Sequence, residues 1–261
     1  MRFYIAYMTF HDFFFFVRTE AQTVARPSEY IHNYALMYAL NTIEPTLQRV
    51  VSSTQPFYER DGKPNPEEFA HFSIYATPAV RSHRSPSMNF KTELLSHTTT
   101  TASAPELITW NALGEGQIAI TEIAEKRSYP KFGAYFKYPP LSTFTFYTIG
   151  SGPSVVRVGK KEAIARIEYQ PLEVVKALTS KELTEPTSIS HPVNWLDLPP
   201  SVQPRFTTMY IMKPTRLMTE VTLSFNGING DIPAVVKARD AVGNLHWIAL
   251  PNTELYRSIK F

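Results

Sequence analysis

The chain has 261 residues, a formal net charge of +3 and 43% hydrophobic residues. That composition excludes an intrinsically disordered protein and leaves room for one large domain or two small ones with a sizeable core. The absence of cysteine excludes disulfides, thiolate chemistry and Cys-ligated zinc, and it suits a reducing cytoplasm.

Residues 2–10 are apolar or aromatic on both parities, which predicts a central strand covered on both faces. The run superficially resembles a secretory leader, but His11-Asp12 interrupts it, no cleavage pattern follows, and it is too short to span a bilayer. The Phe13–Phe16 tetrad continues the core. Residues 28–41 predict a helix after Pro27, capped by Ser28, with Ile31, Tyr34, Ala35, Tyr38 and Leu40 on a broad apolar face. A loop-rich stretch around Pro45, Pro56, Pro64 and Pro66 follows. Residues 69–77 alternate, with Ala70, Phe72, Ile74 and Ala76 on one side, and predict a strand that Pro78 ends. Residues 81–130 carry Arg81, His83, Arg84, Lys91, Lys126 and Arg127 among aromatics and a threonine run. They read as a long thumb-like excursion from the sheet.

Residues 144–169 hold the densest signal. An alternating strand through Phe144 and Phe146 enters a Gly-Ser-Gly-Pro turn. A second strand then presents Arg157, Gly159, Lys160 and Lys161. Val156 and Val158 set the apolar parity before Gly159, whereas Ala163, Ala165, Ile167 and Tyr169 set the opposite parity after it. A straight strand keeps one parity, so the chain bulges or turns at 159–161. Residues 171–183 read as a short helix and 190–204 as a proline-rich connector. Short strands follow near 205–212, 219–225, 232–239 and 245–250, with Asn-Gly turns at 226–227 and 229–230.

The cationic segment is not a nucleotide-hydrolysing P-loop. Six residues separate Gly152 from Gly159 where a P-loop has four, and Lys161 stands where Ser or Thr holds magnesium. From the residues alone, Arg157, Lys160 and Lys161 are either contacts to an RNA or DNA backbone or a solvated charged turn. Asn89-Phe90-Lys91 pairs a cation with an aromatic that can stack on an unpaired base, or is an ordinary exposed loop. The seven histidines show no paired-ligand spacing, and no GxSxG motif occurs. Neither a metal nor a cofactor is called for. Metal-independent RNA cleavage needs only an acid, a base and a cation, so His32, Tyr34 and His71 are candidates for a metal-independent endoribonuclease, the alternative reading.

Four segments in order carry a family resemblance. Residues 30–36, Tyr-Ile-His-Asn-Tyr-Ala-Leu, resemble the YLHNYAL helix of one CRISPR-associated family. Tyr75-Ala76-Thr77-Pro78-Ala79 followed by Asn89-Phe90-Lys91 is similar to its YxTPA…xFK block. Arg157-Val158-Gly159-Lys160-Lys161 with Arg166 resembles its RxGKxxxxxR strand pair. Residues 191–198 match its HPVNPLDL connector, with Trp195 replacing proline. The family is the handle-capping backbone subunit of the type I-D CRISPR (Cascade-like) interference complex, in the RAMP superfamily.

The resemblance implies an α+β fold. Residues 1–189 would form a ferredoxin-like, RRM-related RAMP domain with a thumb-like hairpin insertion at about 81–130, and 190–261 a C-terminal β-rich subdomain. It implies a non-catalytic, cytoplasmic, antiviral subunit without cofactor, metal or membrane attachment. That subunit would hold the 5′ handle of crRNA and cap the backbone filament, beside the helical backbone subunits and the large subunit. Target DNA near the protospacer-adjacent motif (PAM) is a further partner that the resemblance leaves open. Carried over by position, Arg157, Gly159, Lys160, Lys161 and Arg166 are handle contacts, and Asn89, Phe90 and Lys91 lie at the thumb base.

Overall fold

The computed structural model describes residues 2–14, 17–21, 24–41, 59–60, 63–82, 106–112, 131–159, 163–212, 215–227 and 230–259. Nine strands form the principal sheet: β1 (Phe3–Phe10), β2 (Tyr30–Ile31), β3 (Tyr75–Ala76), β4 (Ala79–Ser82), β5 (Thr143–Ile149), β6 (Val155–Val158), β7 (Ala163–Thr179), β8 (Pro233–Arg239) and β9 (Leu245–Ala249). Their order is β9-β8-β7-β1-β5-β4-β2, with β6 paired to β7 and β3 to β5. All these pairings are antiparallel.

The period-two pattern explains the layering. Ala6, Met8, Phe10, Phe144, Phe146, Ala165 and Ile167 project to one face and are buried. The helix α1 (Asn33–Asn41) contributes Tyr34, Leu36, Met37 and Leu40 to the same core. Phe10 and Phe14 stack at 3.8 Å between ring centroids, and Phe144 meets both edge-on. The opposite face is buried at Phe3 and Ile5 but opens at Tyr7 and Thr9. So β1 is central, as the sequence predicts, yet it is covered on both faces only along its first half.

A second cluster, including Leu183, Val193, Met218, Val221, Leu223 and Ala234, lies among two small antiparallel sheets and β8. The strands β8 and β9 join the principal sheet through β7. A separate four-stranded sheet runs Val17–Ala21, Val24–Pro27, Lys131–Lys137, Glu106–Ala112. Of the expected excursion at 81–130, only 81–82 and 106–112 are among the described residues. Residues 106–112 pair antiparallel with 131–137.

Against the expected α+β class, the described residues are mainly β. Two α-helices occur among the described residues, α1 and the four-residue α2 (Pro66–Phe69). The helix expected at 171–183 is instead the second half of the 17-residue β7, ending in a 3-10 turn at Ser180–Glu182. Pairing of Glu173–Thr179 with β8 satisfies that backbone and overrides local preference. The strand expected at 69–77 shortens to Tyr75–Ala76. Asn65, through its side chain, accepts from Glu67 N, and Pro66 occupies the first helical turn, so a short helix and turn take up residues 66–74. The helix expected from Ser28 starts five residues later. Ser28 Oγ accepts from Tyr30 N, which starts β2, and His32 caps α1 by accepting the Tyr34 N–H at its Nδ1.

Candidate nucleic-acid interface

The parity switch resolves as a hairpin. Val155, Val156, Arg157 and Val158 stand opposite Arg166, Ala165, Ile164 and Ala163. Directly opposed residues share a face, so Val156, Val158, Ala163 and Ala165 turn inward and are buried. Arg157 and Arg166 turn outward with Val155 and Ile164, and all four are exposed. Gly159 opens the turn at φ +86°, a conformation that glycine adopts without a Cβ penalty. Lys160 and Lys161 lie outside the described residues, as do Asn89, Phe90 and Lys91. The earlier Gly-Ser-Gly-Pro turn is a packing element. A Cβ on Gly152 would come within 3.1 Å of the Tyr169 hydroxyl and 3.2 Å of Ile74 Cδ1, and Tyr169 donates to Pro153 O at 3.2 Å.

The outward face of the hairpin continues across the principal sheet in two rows. One row runs Val155, Arg166, Thr9, Thr143, Ser82. The next runs Glu168, Tyr7, Thr145, Val80, Tyr30. Glu168 is exposed, Tyr7, Thr9, Thr145, Val80, Ser82 and Tyr30 are half-buried, and Thr143 is buried. Beyond Tyr7 the face closes. Tyr147 Oη there lies in hydrogen-bond contact with His246 Nδ1 at 2.9 Å, and His246 Nε2 meets Asp240 Oδ2 at 3.2 Å. Asn244, by its side chain and backbone N–H, holds the Asp240 carboxyl well below the usual carboxylate range, and burial pushes the Tyr147 hydroxyl up.

Most of the family-like segments converge elsewhere, on a buried carboxylate that sequence reading missed. Asp197 Oδ1 accepts from Tyr34 Oη at 2.9 Å and Tyr256 Oη at 2.7 Å. Its Oδ2 accepts from Asn33 Nδ2 and, at 3.3 Å, from Tyr75 Oη. Asn194 Nδ2 donates to Asn33 Oδ1, and Asn252 N to Asp197 O. One clasp therefore joins α1, β3, the connector and the C-terminal segment. Burial raises the Asp197 pKa from 3.8 to about 6 against the opposing pull of its four donors. The only local signal was a carboxylate between two leucines, Leu196 and Leu198.

Of the candidates for acid–base work, Tyr34 alone bonds to Asp197. Burial lowers the His32 pKa to about 3, so its imidazole is neutral at physiological pH and its Nδ1 serves the helix cap. Tyr34 has its hydroxyl committed to Asp197 and pushed well above its ordinary range by burial. His71 sits exposed in the turn after α2. Among the described residues, no group of three His, Asp or Glu could hold a metal ion, and no helix is long and apolar enough to cross a membrane.

Residues 1–244 match the family model described as type I-D CRISPR-associated protein Cas5/Csc1. The match covers almost the whole chain, so the chain belongs to this family. No curated protein matches it.

Proposed function

We propose that this type I-D CRISPR-associated Cas5/Csc1 protein holds the 5′ handle of crRNA as a non-catalytic, cytoplasmic subunit. It caps the backbone filament at the PAM-reading end, next to the helical backbone subunits and the large subunit. The observation that carries the reading is the pair Arg157 and Arg166, exposed on one face of a hairpin whose turn opens with Gly159 at positive φ. Lys160 and Lys161 follow Gly159 in sequence, so four cations and a bare backbone fall within ten residues. Guanidinium and ammonium groups meet phosphates without reading sequence, which gives affinity and register. Asn89, Phe90 and Lys91 complete the grip from the base of the thumb.

The strand order supports a ferredoxin-like RAMP core in residues 1–189. The strands β1, β4, β5 and β7 lie in the order fourth-first-third-second, all antiparallel, with α1 between the first and second. That is the order of the ferredoxin-like fold, with the β6 hairpin standing where its second helix would be. Residues 190–261 then form the C-terminal β-rich part, tied back to the core by the Asp197 clasp and by β8 and β9.

The non-catalytic assignment is tested with purified protein, repeat RNA and EDTA. The RNA is expected to remain intact over hours. Specific cleavage that disappears in His32→Ala or His71→Ala would replace this reading by the processing nuclease.

A further inference from the structure

We infer that the open face of the principal sheet is the surface on which the bases of the hairpin-held single-stranded RNA lie, with Tyr7 as a stacking side chain. The inference rests on the handle-binding reading and extends it from the hairpin edge to β1 and β5.

The composition of this face carries the argument. A solvated outer face of an antiparallel sheet is ordinarily rich in charged side chains. Here the charges, Arg157, Arg166 and Glu168, lie on the hairpin side, and the middle is the half-buried Tyr7, Thr9 and Thr145 over a buried Thr143. Beyond them come Val80, Ser82 and Tyr30. Strands lie about 4.8 Å apart, so each row spans roughly 19 Å from β6 or β7 toward the far edge. A cationic rim beside an aromatic and hydroxyl floor is the arrangement that single-stranded nucleic acid requires: phosphates at the rim, base faces on the ring, base edges and 2′-hydroxyls at the hydroxyls. Thr9 Oγ1 lies 3.4 Å from Thr143 Oγ1; Thr143 is buried and donates to Leu141 O at 3.4 Å, so the half-buried Thr9 hydroxyl is the member of the pair that a base edge can reach. The wall built by Tyr147 and His246 ends the floor one row beyond Tyr7. The face does not suit a protein strand or helix, because its strongly exposed apolar side chains, Val155 and Ile164, stand on the rim and not on the floor.

The test uses the full chain, a fluorescent RNA of the repeat-derived 5′ end of crRNA carrying 2-aminopurine, and anisotropy at low salt. Tyr7→Ala is expected to weaken binding about 10-fold with an unchanged salt slope, and to abolish the 2-aminopurine quenching seen with the unaltered chain; Tyr7→Phe retains both. Tyr7 also packs against the core, so a second variant, Thr145→Glu, places a carboxylate on the floor from a half-buried position and is expected to lose binding at least as strongly. Arg157→Ala with Arg166→Ala is expected to lower both affinity and salt slope. Wild-type binding in Tyr7→Ala and Thr145→Glu, with loss in the double arginine variant, would overturn this inference and leave the hairpin reading standing. No RNA binding by the unaltered chain, or binding indifferent to all these changes, would overturn both.

Discussion

Replacing Arg157, Lys160 and Lys161 together by alanine is expected to strip crRNA from the assembled type I-D complex as salt is raised, while the protein itself stays folded. Each cation that meets a phosphate contributes roughly 1–2 kcal/mol, so losing three weakens retention on the order of 100-fold or more. The salt dependence falls with it. For a single strand the slope of log K against log salt drops by about 0.7 per lost contact, or roughly 2 in all. The fold is expected to survive because Arg157 is exposed, and the hairpin is held by its inward residues Val156, Val158, Ala163 and Ala165. Retention measured by quantifying crRNA after salt washes checks this. If the RNA stays bound and assembly proceeds without RNA, the hairpin instead meets an acidic protein partner.

Asp197→Ala is expected to be the most damaging single change to stability. It leaves three tyrosine hydroxyls and the Asn33 amide buried without their acceptor. An orphaned buried donor costs about 1–3 kcal/mol, and with partial relaxation the total is roughly 3–5 kcal/mol, a large part of a domain's stability. Tyr256 stacks on Phe69 at 5.2 Å and is itself fully buried, so the C-terminal segment should loosen first. Asp197→Asn retains volume and removes the charge. In the wild type the folded pKa, about 6, exceeds the unfolded value of 3.8, so the stabilising contribution is present below pH 3.8. It is lost as the pH rises through 6, by about 3 kcal/mol for such a difference. Relative to Asp197→Asn, the wild type should therefore lose stability between about pH 4 and pH 7. Urea unfolding of both proteins across that range measures the difference. A flat or rising difference would show that Asp197 is not held with a raised pKa.

How much the sequence revealed follows from which forces are local. The inward set Val156, Val158, Ala163, Ala165 and Ile167 was readable because side chains alternate along a strand and because the parity reverses at Gly159. The same rule placed Phe144 and Phe146 in the core. The second half of β7 was not readable. Leu172, Val175 and Leu178 also fit a helical spacing, and only pairing with β8 decides between the two. In α2 the signal was present in Asn65-Pro66-Glu67-Glu68, but the alternation that follows it masked it. The Asp197 clasp joins residues 33, 34, 75, 197 and 256, and no spacing rule brings such distant positions together. The open floor was hidden for a related reason. Tyr7 and Thr9 belong to an apolar run that reads as buried, and their half-exposure depends on how far the cover over Ile5 and Tyr147 extends.

The handle assignment stands or falls on where the 5′ end of the crRNA lies in the assembled complex. Ultraviolet cross-linking of that complex, followed by identification of the joined peptide and nucleotide, locates it. Handle nucleotides are expected on peptides containing residues 155–168, with a second set on the β1 peptide that contains Tyr7. Cross-links from the handle solely to other subunits, with none to this chain, would contradict it.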